Sequence, residues 1–158
     1  NGTLVGQGIA YAQRNGAVVA VVAEIEVDPA TGKIWARKMT VAHDCGLIVN
    51  PGELHRVIEG NIVQATSRGI YEEVMFDRQN VTSIDWATYP IVETQDAPGD
   101  IQIVLINRPD VPSAGAGESS TKPTPAALAN AFYDATGVRI RQAPLSPERV
   151  KAALAKVG

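Results

Sequence analysis

Residues 17–42 constrain this chain more than any others, because they spell out a β-hairpin. Ala17 to Val27 is rich in valine and alanine. Its second half alternates, so a strand there puts Glu24 and Glu26 on one side and Ile25 and Val27 on the other. Asp28-Pro29-Ala30-Thr31-Gly32-Lys33 then turns the chain, with proline fixing φ and glycine free to take a positive one. Ile34 to Ala42 reads as the return strand.

Helical patterns flank this pair. From Glu53 a helix is expected, with Leu54, Val57, Ile58, Ile62 and Ala65 at a spacing of three to four residues, after a turn at Asn50-Pro51-Gly52. Gly60 inside it costs about 1 kcal/mol relative to alanine and so marks a close packing or ligand contact. A second helix is expected from Pro125 to about Ala135, with Thr124 as N-cap and Gly137 as the C′ residue. A last one has Ser146 as N-cap and buries Val150 and Leu154. Glu72 to Phe76 and Ile101 to Ile106 read as further strands, the latter with Ile101, Ile103 and Leu105 on one side. Trp86 to Val92 is irregular or extended, Trp35 and Trp86 are packing residues, and the glycines around Ile9-Ala10-Tyr11-Ala12 leave that stretch without an assigned element. The fold class predicted is α+β: a mixed sheet with packed helices, forming a single unit over residues 1–158.

Composition removes several classes of function. The 158 residues are 45% hydrophobic and 20% charged, as in a globular domain with a real core. A net charge of -3 gives no general pull toward nucleic acid, and 5% aromatic content offers few base-stacking platforms. The longest apolar run, Ala17 to Ala23, is far too short to span a bilayer. A single cysteine, Cys45, excludes an internal disulfide and any Cys-rich zinc or iron–sulfur cluster, and leaves the compartment, bacterial cytoplasm or periplasm, open. The start, Asn1-Gly2-Thr3-Leu4, has neither a basic n-region nor an initiator methionine, so it reads as a cut from something longer rather than a signal peptide.

The stretch with most chemical content is Ala114-Gly115-Ala116-Gly117-Glu118-Ser119-Ser120. Two glycines allow close approach of backbone to a ligand. A carboxylate follows, then three hydroxyls (Ser119, Ser120, Thr121) and a helix start whose N–H groups and dipole suit an anion. Other candidates are weaker. His43, Asp44 and Cys45 are adjacent on a strand, point alternately to opposite faces, and make poor joint metal ligands, so no metal ligand is assigned. Cys45 reads as a small buried hydrophobe, and His43 and Asp44 as groups that satisfy local backbone. Glu24 and Glu26 fit a solvated strand face, and Glu72 and Glu73 point one in and one out. Glu59 reads as a structural partner of Arg56 or Arg68, His55 as surface or locally bonded, and Arg108 as half of a loop ion pair. An acyl-transfer or hydrolytic enzyme lacks its Gly-x-Ser-x-Gly elbow here.

The glycine–glutamate stretch belongs to an ordered set. Gly6-Gln7-Gly8-Ile9-Ala10 comes first, then Val22-Ala23-Glu24-Ile25-Glu26-Val27-Asp28-Pro29-Ala30-Thr31-Gly32, then Asp44-Cys45-Gly46-Leu47-Ile48-Val49-Asn50-Pro51. Glu59-Gly60-Asn61-Ile62-Val63-Gln64 and Tyr89-Pro90-Ile91-Val92 follow. From about Gly6 to about Leu154 this resembles the C-terminal part of the large molybdenum-cofactor subunit of the molybdenum hydroxylases, the xanthine dehydrogenase and aldehyde oxidase family. Within that family it looks most like the isoquinoline 1-oxidoreductase branch, in its β-subunit.

The resemblance implies a molybdenum–molybdopterin cofactor and oxidation of an N-heterocycle or an aldehyde with water-derived oxygen. Glu118 would be the general base that takes a proton from the hydroxyl on the metal. The backbone of Gly115, Ala116 and Gly117 would lie against the cofactor, with Ser119, Ser120 and Thr121 as polar contacts. Two departures stand out. Ser119 follows Glu118 where many relatives carry proline, and Val57 stands where the xanthine dehydrogenase branch has a cofactor-binding glutamine. Gln64 matches a family glutamine. Most of the site would come from the remainder of the large subunit, and the [2Fe-2S] clusters from an iron–sulfur partner subunit, so the isolated chain is expected to be inactive. The alternative is a non-catalytic fragment or assembly module of the same fold.

Overall fold

In the computed structural model, which describes residues 2–156, the hairpin is the centre of a four-stranded sheet ordered β1-β2-β3-β4. The strands are β1 (Leu4–Arg14), β2 (Ala17–Val27), β3 (Ile34–Asp44) and β4 (Ile101–Ile106). The first three pair antiparallel, and β4 lies parallel to β3, with Ala42 opposite Val104. The turn at Asp28 forms because its carboxylate gathers the Ala30 N–H (2.9 Å) and the Thr31 hydroxyl (2.7 Å), while Gly32 takes a φ of 77°.

Three helices complete the fold: α1 (Pro51–Ile70), α2 (Thr124–Thr136) and α3 (Pro147–Leu154). Helix α2 covers β1 and β2, and α1 lies beside it against β3 and β4. The core between sheet and helices includes Val21, Ile25, Val41, Ile62, Leu128 and Phe132, all buried. The α+β class with a mixed sheet and packed helices is thus the observed one.

Strand β1 has no counterpart among the expected elements. Gly6 and Gly8 face inward, and a Cβ on Gly8 would sit 2.1 Å from the Ala131 nitrogen. Glycine here lets α2 approach the sheet closely, so the residues that hide the strand in sequence are the ones the packing requires. Helix α1 starts at Pro51 rather than Glu53. Asn50 caps it by accepting the Glu53 N–H at 3.1 Å, and proline fits the first helical position because an N–H there has no helical partner. Helix α2 starts at Thr124 itself, whose hydroxyl donates back to the Ser120 carbonyl at 2.8 Å, so Thr124 is not an N-cap. Ser146 and Gly137 cap as expected, the latter at φ 70°.

Residues 71–100 depart most from expectation. Glu72 to Phe76 is not a strand, because no neighbouring strand is there to pair with it. A lone bridge joins Phe76 to Val81 around a turn held by Asp77. Trp86 is 80% exposed rather than a packing residue, and Val57 lies on the exposed side of α1. Trp35 does pack. Its Nε1 donates to the Ala97 carbonyl at 3.0 Å, and Gly99 lies against its ring.

Candidate functional site

The loop carrying Glu118 is seated on the end of β3. Asp44 begins that seat. Its carboxylate accepts the Gly46 N–H at 3.0 Å and pairs with Arg108 at 2.6 Å, and both contacts hold it below the usual carboxylate range. Three backbone bonds then pin the two segments together: Arg108 N–H to the Gly46 carbonyl (3.1 Å), Leu47 N–H to Val111 (2.9 Å) and Ala114 N–H to Cys45 (2.8 Å). Arg108 is the loop ion-pair partner that its position suggests.

Beyond this seat the chain runs through Gly115, Ala116 and Gly117 to Glu118. A Cβ on Gly115 or Gly117 would meet nothing within 4 Å, and neither residue has a positive φ. Neither packing nor backbone strain inside the described chain therefore demands glycine at these positions. Ala116 lines a small cavity of about 160 Å³ with Cys45, Asn50, Leu54 and Ala114. Cys45 is buried, which pushes its thiol pKa up, as suits a small hydrophobe rather than a nucleophile.

Glu118 stands at the start of a short 3₁₀ turn, Ser119–Thr121, with its side chain making no capping bond. The carboxylate is 62% exposed and one oxygen, Oε1, is paired with Arg14 at the end of β1. The hydroxyls that follow are engaged within the chain. Ser119 donates to the Gly115 carbonyl at 3.4 Å, and Thr121 to the Glu118 carbonyl at 2.7 Å. The Ser120 Oγ accepts from the Asn61 amide of α1 at 3.0 Å in a buried contact. These bonds shape the loop from below while the glycines and Glu118 face outward.

Arg14 and Asn61 are the residues that sequence reasoning missed. Arg14 ends a strand that glycines disguise. Asn61 carried a legible signal, a polar residue on the buried side of α1, inside the Glu59-Gly60-Asn61 motif. Glu59 itself lies 3.7 Å from His55 rather than beside Arg56 or Arg68. Gly60 has nothing within 4 Å of its Cβ direction, so it marks no close packing in this chain.

The remaining candidates lie elsewhere. Glu24 pairs with Arg37 at 2.8 Å on the outer sheet face. Glu72 accepts from the Tyr89 hydroxyl at 2.8 Å, and Glu73 pairs with Arg149 at 2.7 Å. His43 does not satisfy local backbone. It is fully buried, and neither ring nitrogen has a hydrogen-bond partner, so desolvation lowers its pKa. No group of three or more His, Cys, Asp or Glu side chains able to hold a metal occurs among the described residues.

Residues 6–98 match the family described as "Molybdopterin cofactor-binding domain". A nicotinate dehydrogenase subunit from Pseudomonas putida is 39% identical over 161 residues, covering 97% of this chain and 14% of that protein. Aldehyde oxidoreductase of Megalodesulfovibrio gigas is 34% identical over 84% of this chain and 15% of its own length. The crystal structure of quinoline 2-oxidoreductase from Pseudomonas putida 86 superposes with a TM-score of 0.81 at 31% identity, over 89% of this chain and 19% of that one. The chain spans about a seventh of the length of the curated relatives it matches.

Proposed function

Because this chain belongs to the molybdopterin cofactor-binding domain family of the molybdenum hydroxylases, we propose that it forms one wall of such an enzyme's active site, with Glu118 as general base. The complete site needs the remainder of a large subunit. Electrons would leave through an iron–sulfur partner carrying [2Fe-2S] clusters, as the family resemblance implies, since the single cysteine of this stretch offers no such ligand set. The substrate is an N-heterocycle or an aldehyde, the two classes named among the relatives.

The observation that carries this reading is the outward side of the 115–118 loop. Two glycines that nothing in the chain requires stand next to an exposed carboxylate on a firmly bonded seat. That leaves room for a cofactor to lie against the backbone of Gly115, Ala116 and Gly117. Ser119, Ser120 and Thr121 hold the loop in the shape that presents it. When bound, the molybdenum–molybdopterin group supplies oxygen transfer to an electron-poor carbon and removes two electrons from it. Glu118 accepts a proton. Arg14 pairs with Oε1.

In the complete enzyme, Glu118→Gln should abolish turnover while molybdenum content, read by elemental analysis, stays at the wild-type level. Near-normal hydroxylation by that variant would remove the assigned role. One observation favours a second reading, a non-catalytic assembly module: Glu118 is not among the residues that line the cavity beside Ala116. Absence of molybdenum from the purified native protein would decide for that module.

A further inference from the structure

We infer that the apolar half of the sheet's outer face is covered, in the assembled protein, by further polypeptide of the same molybdenum-binding subunit. The inference rests on the proposed place of this chain in a longer subunit. It does not depend on the role of Glu118.

The outer face divides in two. Near the Asp28 turn the rule of a one-sided sheet, apolar inward and polar outward, holds in part: Glu24 pairs with Arg37 and Glu26 and Lys38 stand alongside, although Val5 and Trp35 share the row of Glu26. At the other end the rule fails. One cross-strand row there runs Tyr11, Ala20, Ala42, Val104, and Val18 and Val22 flank it on β2. Tyr11 is 61% exposed and Val104 53%. Ala17 to Ala23 contains no polar residue at all, so this part of β2 is apolar on both faces. Continuous apolar strands belong to sheets buried on both sides, whereas singly scattered apolar residues are ordinary surface.

Two observations select the occupant. The relatives carry most of their polypeptide outside the stretch that this chain matches, since the match covers 14% of the nicotinate dehydrogenase subunit. The apolar half is also the end of the sheet where Arg14 closes β1 and meets Glu118. Polypeptide that brings a cofactor to Glu118 has to arrive at this end. This apolar patch, bordered by the Asp44–Arg108 pair, matches the inside of a permanent assembly better than the polar rim of a transient one.

The test is hydroxyl-radical footprinting of the whole large subunit, purified without its iron–sulfur partner and shown to be monomeric by ultracentrifugation. The expected result is loss of Tyr11 oxidation relative to the urea-unfolded subunit, with Trp35, on the polar half, still oxidised. Tyr11 as reactive as Trp35 in that monomer would overturn the inference. So would protection that arises only when the iron–sulfur subunit or a second copy is added. Intact mass of the native polypeptide checks the underlying reading separately. A native chain of only these 158 residues would remove the larger subunit, whatever the footprint shows.

Discussion

On its inner face the sheet meets α1 and α2 so closely that Gly6 and Gly8 leave no room for a methyl group. On its outer face the same strands present Tyr11 and Val104 to solvent. Both faces are apolar around Ala17 to Ala23, yet only the inner one is packed within the described residues. The difference separates two jobs that hydrophobic residues do. Inward ones hold this unit together, and their exchange should be felt at once. Outward ones contribute little until another layer covers them, so their effect should depend on what else is assembled.

Four substitutions probe that contrast, from the largest effect to the smallest. Phe132→Ala empties the centre of the inner interface and should lower stability by about 3–5 kcal/mol in urea denaturation. Gly8→Ala places a methyl 2.1 Å from the Ala131 nitrogen, a distance that backbone cannot tolerate. Its denaturation midpoint should fall by the equivalent of about 1–3 kcal/mol as α2 shifts away.

The third concerns His43, which faces inward with both nitrogens unpaired. Its native pKa is depressed below 6.5 by burial, so the unfolded chain protonates first as pH falls. Stability is fully present above that value and declines below it, by about 1.4 kcal/mol per pH unit for one proton, until the native imidazole also titrates. His43→Leu should remove this part of the slope, and denaturation at pH 7.5 and pH 5.5 reads it. The fourth, Tyr11→Ser, should change the stability of this unit by less than about 0.5 kcal/mol, as exposed positions do. An effect as large as that of Phe132→Ala, found only in the whole subunit, would sharpen the comparison by showing the outer face buried there. The same effect in the isolated unit would break it.

The elements that sequence made legible are those with one dominant signal. Alternation and a proline–glycine turn gave β2 and β3, and the periodicity through Ile58 and Ile62 gave α1. Asn50 and Thr124 show the limit. Each sits beside a proline at a helix start, and only the observed hydrogen bonds decide which of them is a cap. Strand β1 was illegible because two of its inward residues, Gly6 and Gly8, are glycines required by a helix more than a hundred residues away, and local pattern carries no such information. Trp86 misleads in the opposite way, since aromatic character suggests burial while residues 71–100 fold around Asp77 and Asp85 turns that leave it outside. In the candidate site, Glu118 and its glycines could be read from a motif. Arg14 could not, because glycines disguise its strand and its contact with Glu118 closes only in three dimensions, while Asn61 was legible only as a polar residue on the buried side of α1, without its Ser120 partner.

Strands β3 and β4 run the same way, although the rest of the sheet alternates. Their exits are therefore neighbours, and the peptide leaving Asp44 and the peptide leaving Ile106 emerge as a matched pair of arms. Such a pair is evolvable in a specific sense. Insertions or new side chains between Asn107 and Gly117 can reshape what the Glu118 arm reaches without changing the register of a single strand, so the scaffold and the chemistry it displays are free to diverge at separate rates.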